Sequence, residues 1–187
     1  MKHSRRRYST AELVASRPNR VAMDAARLPV TVVLDNIRSL QNVGLCFRVC
    51  DCANIQRLIL SGITGVPGQS IHADQQIGKT AIGGSLQTVP WEKQEDPMPR
   101  LCELQRAGYQ LVVFEQAEGS VPHREVPYRF PLIAVFGHER AGVREELLQA
   151  ADHVAELPVR GITNSLNVAM TVSIVLYELL GRWQENR

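Results

Sequence analysis

The sequence lacks most of the features that announce a function outright. With 13 Gly and 10 Pro in 187 residues it is neither collagen-like nor of low complexity, and 44% hydrophobic content excludes a disordered chain. Its four cysteines, Cys46, Cys50, Cys52 and Cys102, have neither disulfide-framework spacing nor the CxxC pairs of a zinc site, so buried free thiols are expected, and no metal. No apolar segment follows Arg5-Arg6-Arg7, so a secretory signal is not expected. The most apolar stretch, residues 168–180, is interrupted by Thr171, Ser173 and Glu178 and is too short and polar to span a bilayer. A cytoplasmic protein is the expectation. The formal net charge of +2 does not mark a nucleic-acid binder.

The charge is unevenly placed, however. Residues 1–28 hold seven basic and two acidic side chains, a net +5, whereas the remainder holds 14 basic and 17 acidic, a net −3. A basic arm on a mildly acidic body suits contact with phosphates through counterion release, and Arg5, Arg6 and Arg7 are its candidate RNA contacts. The same composition also suits a solvated, partly disordered terminus. The organisation expected is a basic arm over residues 1–28 and one domain over 29–187.

Within that domain, β-rich runs alternate with helical patterns. Strands are expected over 30–34, 57–60, 86–89, 110–114, 132–136 and 153–157, and helices over 42–52, 99–107, 143–151 and 165–183. Residues 62–84 form a segment long enough to suspect a functional loop. This alternation implies an α/β fold with a mostly parallel sheet flanked by helices. The last helix is apolar nearly all round, so one face is expected against the sheet and another against a partner.

Ligands of such sheets bind beyond the carboxyl ends of the strands, and three polar, glycine-bearing segments fall there: residues 35–48, 137–142 and 161–167. They are not the familiar nucleotide motifs. Gly137 and Gly142 have P-loop spacing, but Val143-Arg144 replaces the Lys-Ser/Thr pair, and no G-x-G-x-x-G follows a strand. His138-Glu139 is not HExxH, and there is no G-x-S-x-G elbow.

Taken together, the three segments resemble the signature motifs of the SpoU/TrmH family of RNA ribose 2′-O-methyltransferases, in the SPOUT superfamily. Asn42-Val-Gly44-Leu-Cys-Phe-Arg48 is similar to N-x-G-x-x-x-R, and Gly137-His-Glu139-Arg-Ala-Gly142 to G-x-E-x-x-G after a strand. Leu157-Pro158-Val-Arg-Gly161 followed by Ser165-Leu-Asn167-Val168 is similar to I-P-x-x-G…S-L-N-V. The segment from Lys79 to Gly83, with Val89-Pro90-Trp91 behind it, also resembles the family. The likeness spans about residues 30–180, with one departure: Leu40 stands where the family usually has proline.

The resemblance implies a C-terminal deep trefoil knot, S-adenosylmethionine as cofactor, tRNA or rRNA as substrate, and a homodimer with its site near the interface. It assigns Arg48, Asn42, Glu139, Ser165 and Asn167 to catalysis, and Phe114, Gly137, Leu157 and Leu166 to the adenosyl pocket. Arginine stays protonated in proteins, so Arg48 suits a fork that grips an RNA phosphate and steadies the emerging alkoxide better than it suits a base. Asn42, Ser165 and Asn167 are short neutral groups fit to orient Arg48, cofactor and ribose; Asn42 and Ser165 equally suit helix N-caps. Glu139 is placed to hold Arg48 or ribose hydroxyls, and a solvated turn glutamate is the competing reading. His138 falls at a variable position, and Asp35 and Asn36 suit a turn. Gly137 and Gly161 suit close backbone approach to the cofactor. A knotted base N-methyltransferase and a non-catalytic RNA-binding relative are the alternatives.

Overall fold

The computed structural model describes residues 6–185. Seven strands form one sheet: β1 (Leu28–Asp35), β2 (Ile55–Ser61), β3 (Trp91–Gln94), β4 (Gln110–Phe114), β5 (Val121–Pro122), β6 (Leu132–Phe136) and β7 (His153–Glu156). Their order is β3-β2-β1-β6-β4-β7-β5, and every pairing is parallel. The helices are α1 (Thr10–Ala15), α2 (Arg20–Ala25), α3 (Leu40–Cys52), α4 (Ile71–Gly78), α5 (Ser85–Thr88), α6 (Met98–Arg106), α7 (Glu145–Ala150) and α8 (Val168–Glu185). None of the described helices is long and apolar enough to cross a membrane.

Strand periodicity divides the core into two layers. Val32 and Leu34 of β1, Leu58 and Leu60 of β2, Val112 and Phe114 of β4, and Ala134 and Phe136 of β6 face one side, with α3 and α8. Val33, Ile59, Val113 and Val135 face the other, with α6 and α7. Strands covered on both faces are mostly apolar, which is why β6 reads as an unbroken hydrophobic run and β1 and β4 as runs broken only by Thr31, Asp35 and Gln110.

Some sequence expectations need correction. Residues 86–89 are not a strand: α5 occupies Ser85–Thr88, and the strand follows Pro90. The 62–84 segment is no continuous loop, because α4 lies within it. The last helix starts at Val168, so Ser165 is not its cap; the Asn167 side chain accepts from the Ala169 N–H instead, at 2.9 Å. Nor does Asn42 cap α3, where Ser39 accepts from the Asn42 N–H. Of the cysteines, Cys46 and Cys50 are buried, but Cys52 is exposed and Cys102 half-buried.

The N-terminal segment is not wholly a free arm. Asn19 caps α2, and the Arg27 guanidinium donates to the carbonyls of Ile55 at 2.9 Å and Thr88 at 3.2 Å. Arg20 donates to the Gln87 carbonyl at 3.1 Å. These acceptors lie at the amino ends of β2 and β3, so α2 is moored at the opposite end of the sheet from the strands' carboxyl ends.

Candidate active site

The carboxyl ends of β4, β6 and β7 open into a cleft of about 600 Å³. Its floor is the pair Phe114 and Phe136, each the last residue of its strand, stacked with ring centroids 5.1 Å apart and planes at 10°. Leu157, Leu166 and Val168 add apolar wall, and Gly137, Glu139 and Ser165 also line it. All four residues assigned to the adenosyl pocket, Phe114, Gly137, Leu157 and Leu166, therefore share one cavity.

The turn after β6 is built as a small closed unit. His138 and Gly142 exchange backbone hydrogen bonds at 3.1 and 2.9 Å. The His138 Nδ1 accepts from the N–H groups of Arg140 and Ala141 at 2.9 and 3.0 Å. Gly137 has a different reason from the one its position suggested. A Cβ there would lie 2.4 Å from both the Gly142 carbonyl carbon and the Val143 nitrogen, so its bareness lets the chain close on itself. Nothing lies near the Cβ position of Gly161.

The three motif segments meet through one chain of side chains. Asn42 Nδ2 donates to Glu139 Oε1 at 2.9 Å, and Asn167 Nδ2 donates to Asn42 Oδ1 at 3.1 Å. Asn42 is only 9% exposed, and its amide uses one donor and its acceptor to join residues 97 and 125 positions away. Glu139 is thus a partnered cleft residue, not a solvated turn glutamate.

The motif glycine holds the helix layer together. A Cβ on Gly44 would fall 2.1 Å from Thr80 Oγ1 and 2.3 Å from the Ile77 carbonyl oxygen, so only glycine lets α4 rest on α3. Leu40 packs over Gly65, where a Cβ would sit 2.3 Å from Leu40 Cδ2. The bulk of leucine at the family's proline position is taken up there.

Arg48 is not brought into this constellation. It is exposed, and no partner is found for its side chain among the described residues. Six residues separate it from Asn42, which turns it about 120° around the helix axis. It therefore faces outward, while Asn42 faces Glu139 and α8. Of the arm's candidate RNA contacts, Arg5 lies outside the described residues. Arg6 is paired with Glu12 at 2.6 Å, holding that carboxyl down at about 2 with the help of Ser9. Arg7 is exposed.

Two features escaped the sequence reading. Asp35, fully buried at the end of β1, accepts from Arg144 Nη2 at 2.7 Å and from Ser61 Oγ at 3.0 Å, and Arg144 also donates to Ser61 at 2.7 Å. This clamp ties together the chain at the carboxyl ends of β1 and β2 and the turn after β6. Glu115 accepts from the N–H groups of Val143 and Gln116 at 3.1 and 2.8 Å. With Glu139 and Glu156 it gives the cleft three carboxylates, while among the described residues no lysine or arginine lines it.

Residues 29–177 match the SpoU rRNA Methylase family. A tRNA (guanosine(18)-2′-O)-methyltransferase from Aquifex aeolicus is 30% identical over 162 residues, 85% of this chain and 72% of that one. The crystal structure of the A. aeolicus TrmH/SpoU tRNA-modifying enzyme superposes with a TM-score of 0.76 at 28% identity, covering 89% of this chain and 81% of that one. An AdoMet-bound rRNA methyltransferase from Sinorhizobium meliloti superposes with a TM-score of 0.70 at 29% identity, over 86% of this chain and 60% of that one.

Proposed function

Because the chain belongs to the SpoU rRNA Methylase family, we propose that it transfers a methyl group from S-adenosylmethionine to a ribose 2′-hydroxyl of structured RNA, either tRNA or rRNA. The observation that carries this reading is the hydrogen-bonded chain Glu139–Asn42–Asn167, which joins the three motif segments beside the cleft. The cofactor supplies an electrophilic methyl carbon on a sulfonium, so an O–CH₃ bond forms, the S–CH₃ bond breaks, a thioether is left and the hydroxyl proton departs.

The residues present suit that cofactor. The stacked Phe114 and Phe136 offer an apolar floor for a flat ring, flanked by Leu157, Leu166 and Gly137. Three carboxylates, with no lysine or arginine among the described lining residues, favour a cation. Glu115 is pinned by two backbone N–H groups and Glu156 by Ser120 at 3.1 Å, so this field is preorganised.

Asn42, Asn167 and Ser165 orient the reactants, and Glu139 holds Asn42 in place. Arg48 supplies a guanidinium fork for RNA phosphate and for the developing alkoxide, with the proton leaving through phosphate or water. Its outward position suits a site completed by a second copy of the chain. The exposed apolar residues of α8 support that homodimer: Met170 (61% exposed), Ile174 (44%) and Tyr177 (57%) form an i, i+4, i+7 stripe on the face opposite its buried residues. We also assign the family's trefoil knot to the irregular segment between β7 and α8, which the Gln116 side chain ties to the loop after β4 through the Asn164 carbonyl at 2.9 Å. Cytoplasmic action and RNA contact by the segment before α2 complete the proposal.

The test is direct. The protein should bind S-adenosylmethionine in titration calorimetry and transfer its labelled methyl to unmodified tRNA or rRNA transcripts. Cofactor binding with the label found on a base nitrogen would favour the knotted N-methyltransferases; no transfer at all would leave a non-catalytic RNA binder.

A further inference from the structure

Arginines in this structure divide into two kinds. Arg27, Arg57, Arg100, Arg144 and Arg182 are ion-paired and structural. Arg38 and Arg48 are among the exposed arginines that find no side-chain partner among the described residues, and they are the two in the segment, residues 35–52, that also carries Asn42. Arg38 lies in the turn between β1 and α3, on the rim of a groove of about 610 Å³ formed with Leu40, Gln41, His72 and Gln76.

The groove is assembled from two helices. His72 and Gln76 are one turn apart on α4, and Gln41 opens α3. Gln41 Nε2 donates to Gln76 Oε1 at 3.1 Å, which leaves the side-chain Oε1 of Gln41 and the side-chain Nε2 of Gln76 unused among the described residues. That is an adjacent acceptor and donor on a fixed frame. Among the described residues no carboxylate lines the groove, the reverse of the acidic cleft. Gln41 and Arg48 are seven residues apart, hence on the same face of α3 and on the order of 10 Å apart along it.

We propose that this groove is a base-reading subsite for an unpaired nucleotide of the substrate RNA, next to the one whose ribose is methylated. The proposal rests on the methyltransferase reading above. The Arg38 guanidinium stacks on or forks to the base, and the Gln41–Gln76 pair reads its hydrogen-bonding edge. Arg48, along the same face, grips the phosphate between the two nucleotides. Arg38, Gln41 and Gln76 are specificity residues and take no part in the chemical step.

The experiment uses a pool of unmodified tRNA and rRNA transcripts to find a methylated site. Hairpins carrying that site, with each flanking nucleotide replaced in turn, follow. Wild-type protein should discriminate among the hairpins, and Arg38→Ala/Gln76→Ala should raise KM for RNA on the order of tenfold and flatten that discrimination. Its kcat at saturating RNA and its cofactor affinity should stay unchanged. Unchanged KM and discrimination in the variant, beside an active wild type, would overturn the subsite and leave the methyltransferase reading standing. A parallel loss of cofactor affinity would also overturn it, by showing a structural role. Failure of wild type to methylate any RNA in the pool would overturn both.

Discussion

Gly44→Ala tests whether the motif glycine serves packing, because two effects of known size oppose each other there. In an unobstructed helix interior, alanine is favoured over glycine by about 1 kcal/mol. At position 44 the new Cβ would lie 2.1 Å from Thr80 Oγ1 and 2.3 Å from the Ile77 carbonyl oxygen, where ordinary contact begins at 3.4 Å. Thr80 can rotate only by giving up its hydrogen bond to the Gln41 carbonyl at 2.9 Å. Ile77 cannot step aside, because its carbonyl accepts from the Ala81 N–H at 2.9 Å and closes the end of α4. So α4 must move off α3 by about 1 Å, and overpacking of that kind costs roughly 1–3 kcal/mol. Subtracting the propensity gain leaves a net destabilisation of up to about 2 kcal/mol. Gly181→Ala in α8 is the internal control, since nothing lies within 4 Å of its Cβ position. There the propensity gain stands alone, and stabilisation of about 0.5–1 kcal/mol should follow. Urea unfolding at constant m reads both. Stabilisation by both substitutions would refute the packing argument.

Four further outcomes are expected. Asn42→Leu keeps the volume but strips the bridge between Glu139 and Asn167, so thermal unfolding should show a loss of about 2 kcal/mol, and cofactor affinity should fall with it. Arg48→Ala, on the exposed face of α3, should leave melting temperature and cofactor affinity unchanged while methyl transfer drops at least a hundredfold, on the order of one lost transition-state donor. Burial pushes the Cys46 thiol up to about 12 and raises that of Cys50 well above its ordinary value, so at pH 8 a disulfide reagent should label exposed Cys52 and reach those two only after unfolding. Deleting residues 1–18, which spares the Asn19 cap and the mooring of α2, should weaken RNA binding, flatten its salt dependence and leave cofactor binding intact.

How much of this was legible in the sequence follows from what each element packs against. Strands β4 and β6 were placed to the residue because both of their faces are covered, which forces a mostly apolar run. Strand β3, with the sequence WEKQ, is a half-buried edge with no such run, so the apolar residues just before it drew the strand assignment onto α5. Two-residue β5 is too short to leave a pattern. The site divides in the same way. Asn42, Glu139 and Asn167 were found through motif order, since no periodicity links positions 97 and 125 residues apart. The clamp of Asp35 on Arg144, 109 residues away, belongs to no motif and was missed. Arg48 was found as a residue but not as a direction, because its facing depends on the phase of α3 against α4 and α8.

The central claim is that the methyl group goes to a ribose oxygen, and alkaline hydrolysis of the labelled RNA product tests it most directly. A 2′-O-methyl group removes the internal nucleophile of its own phosphodiester, so the account predicts that all label appears in an alkali-stable dinucleotide. Label released as mononucleotide would place the methyl on a base and contradict it.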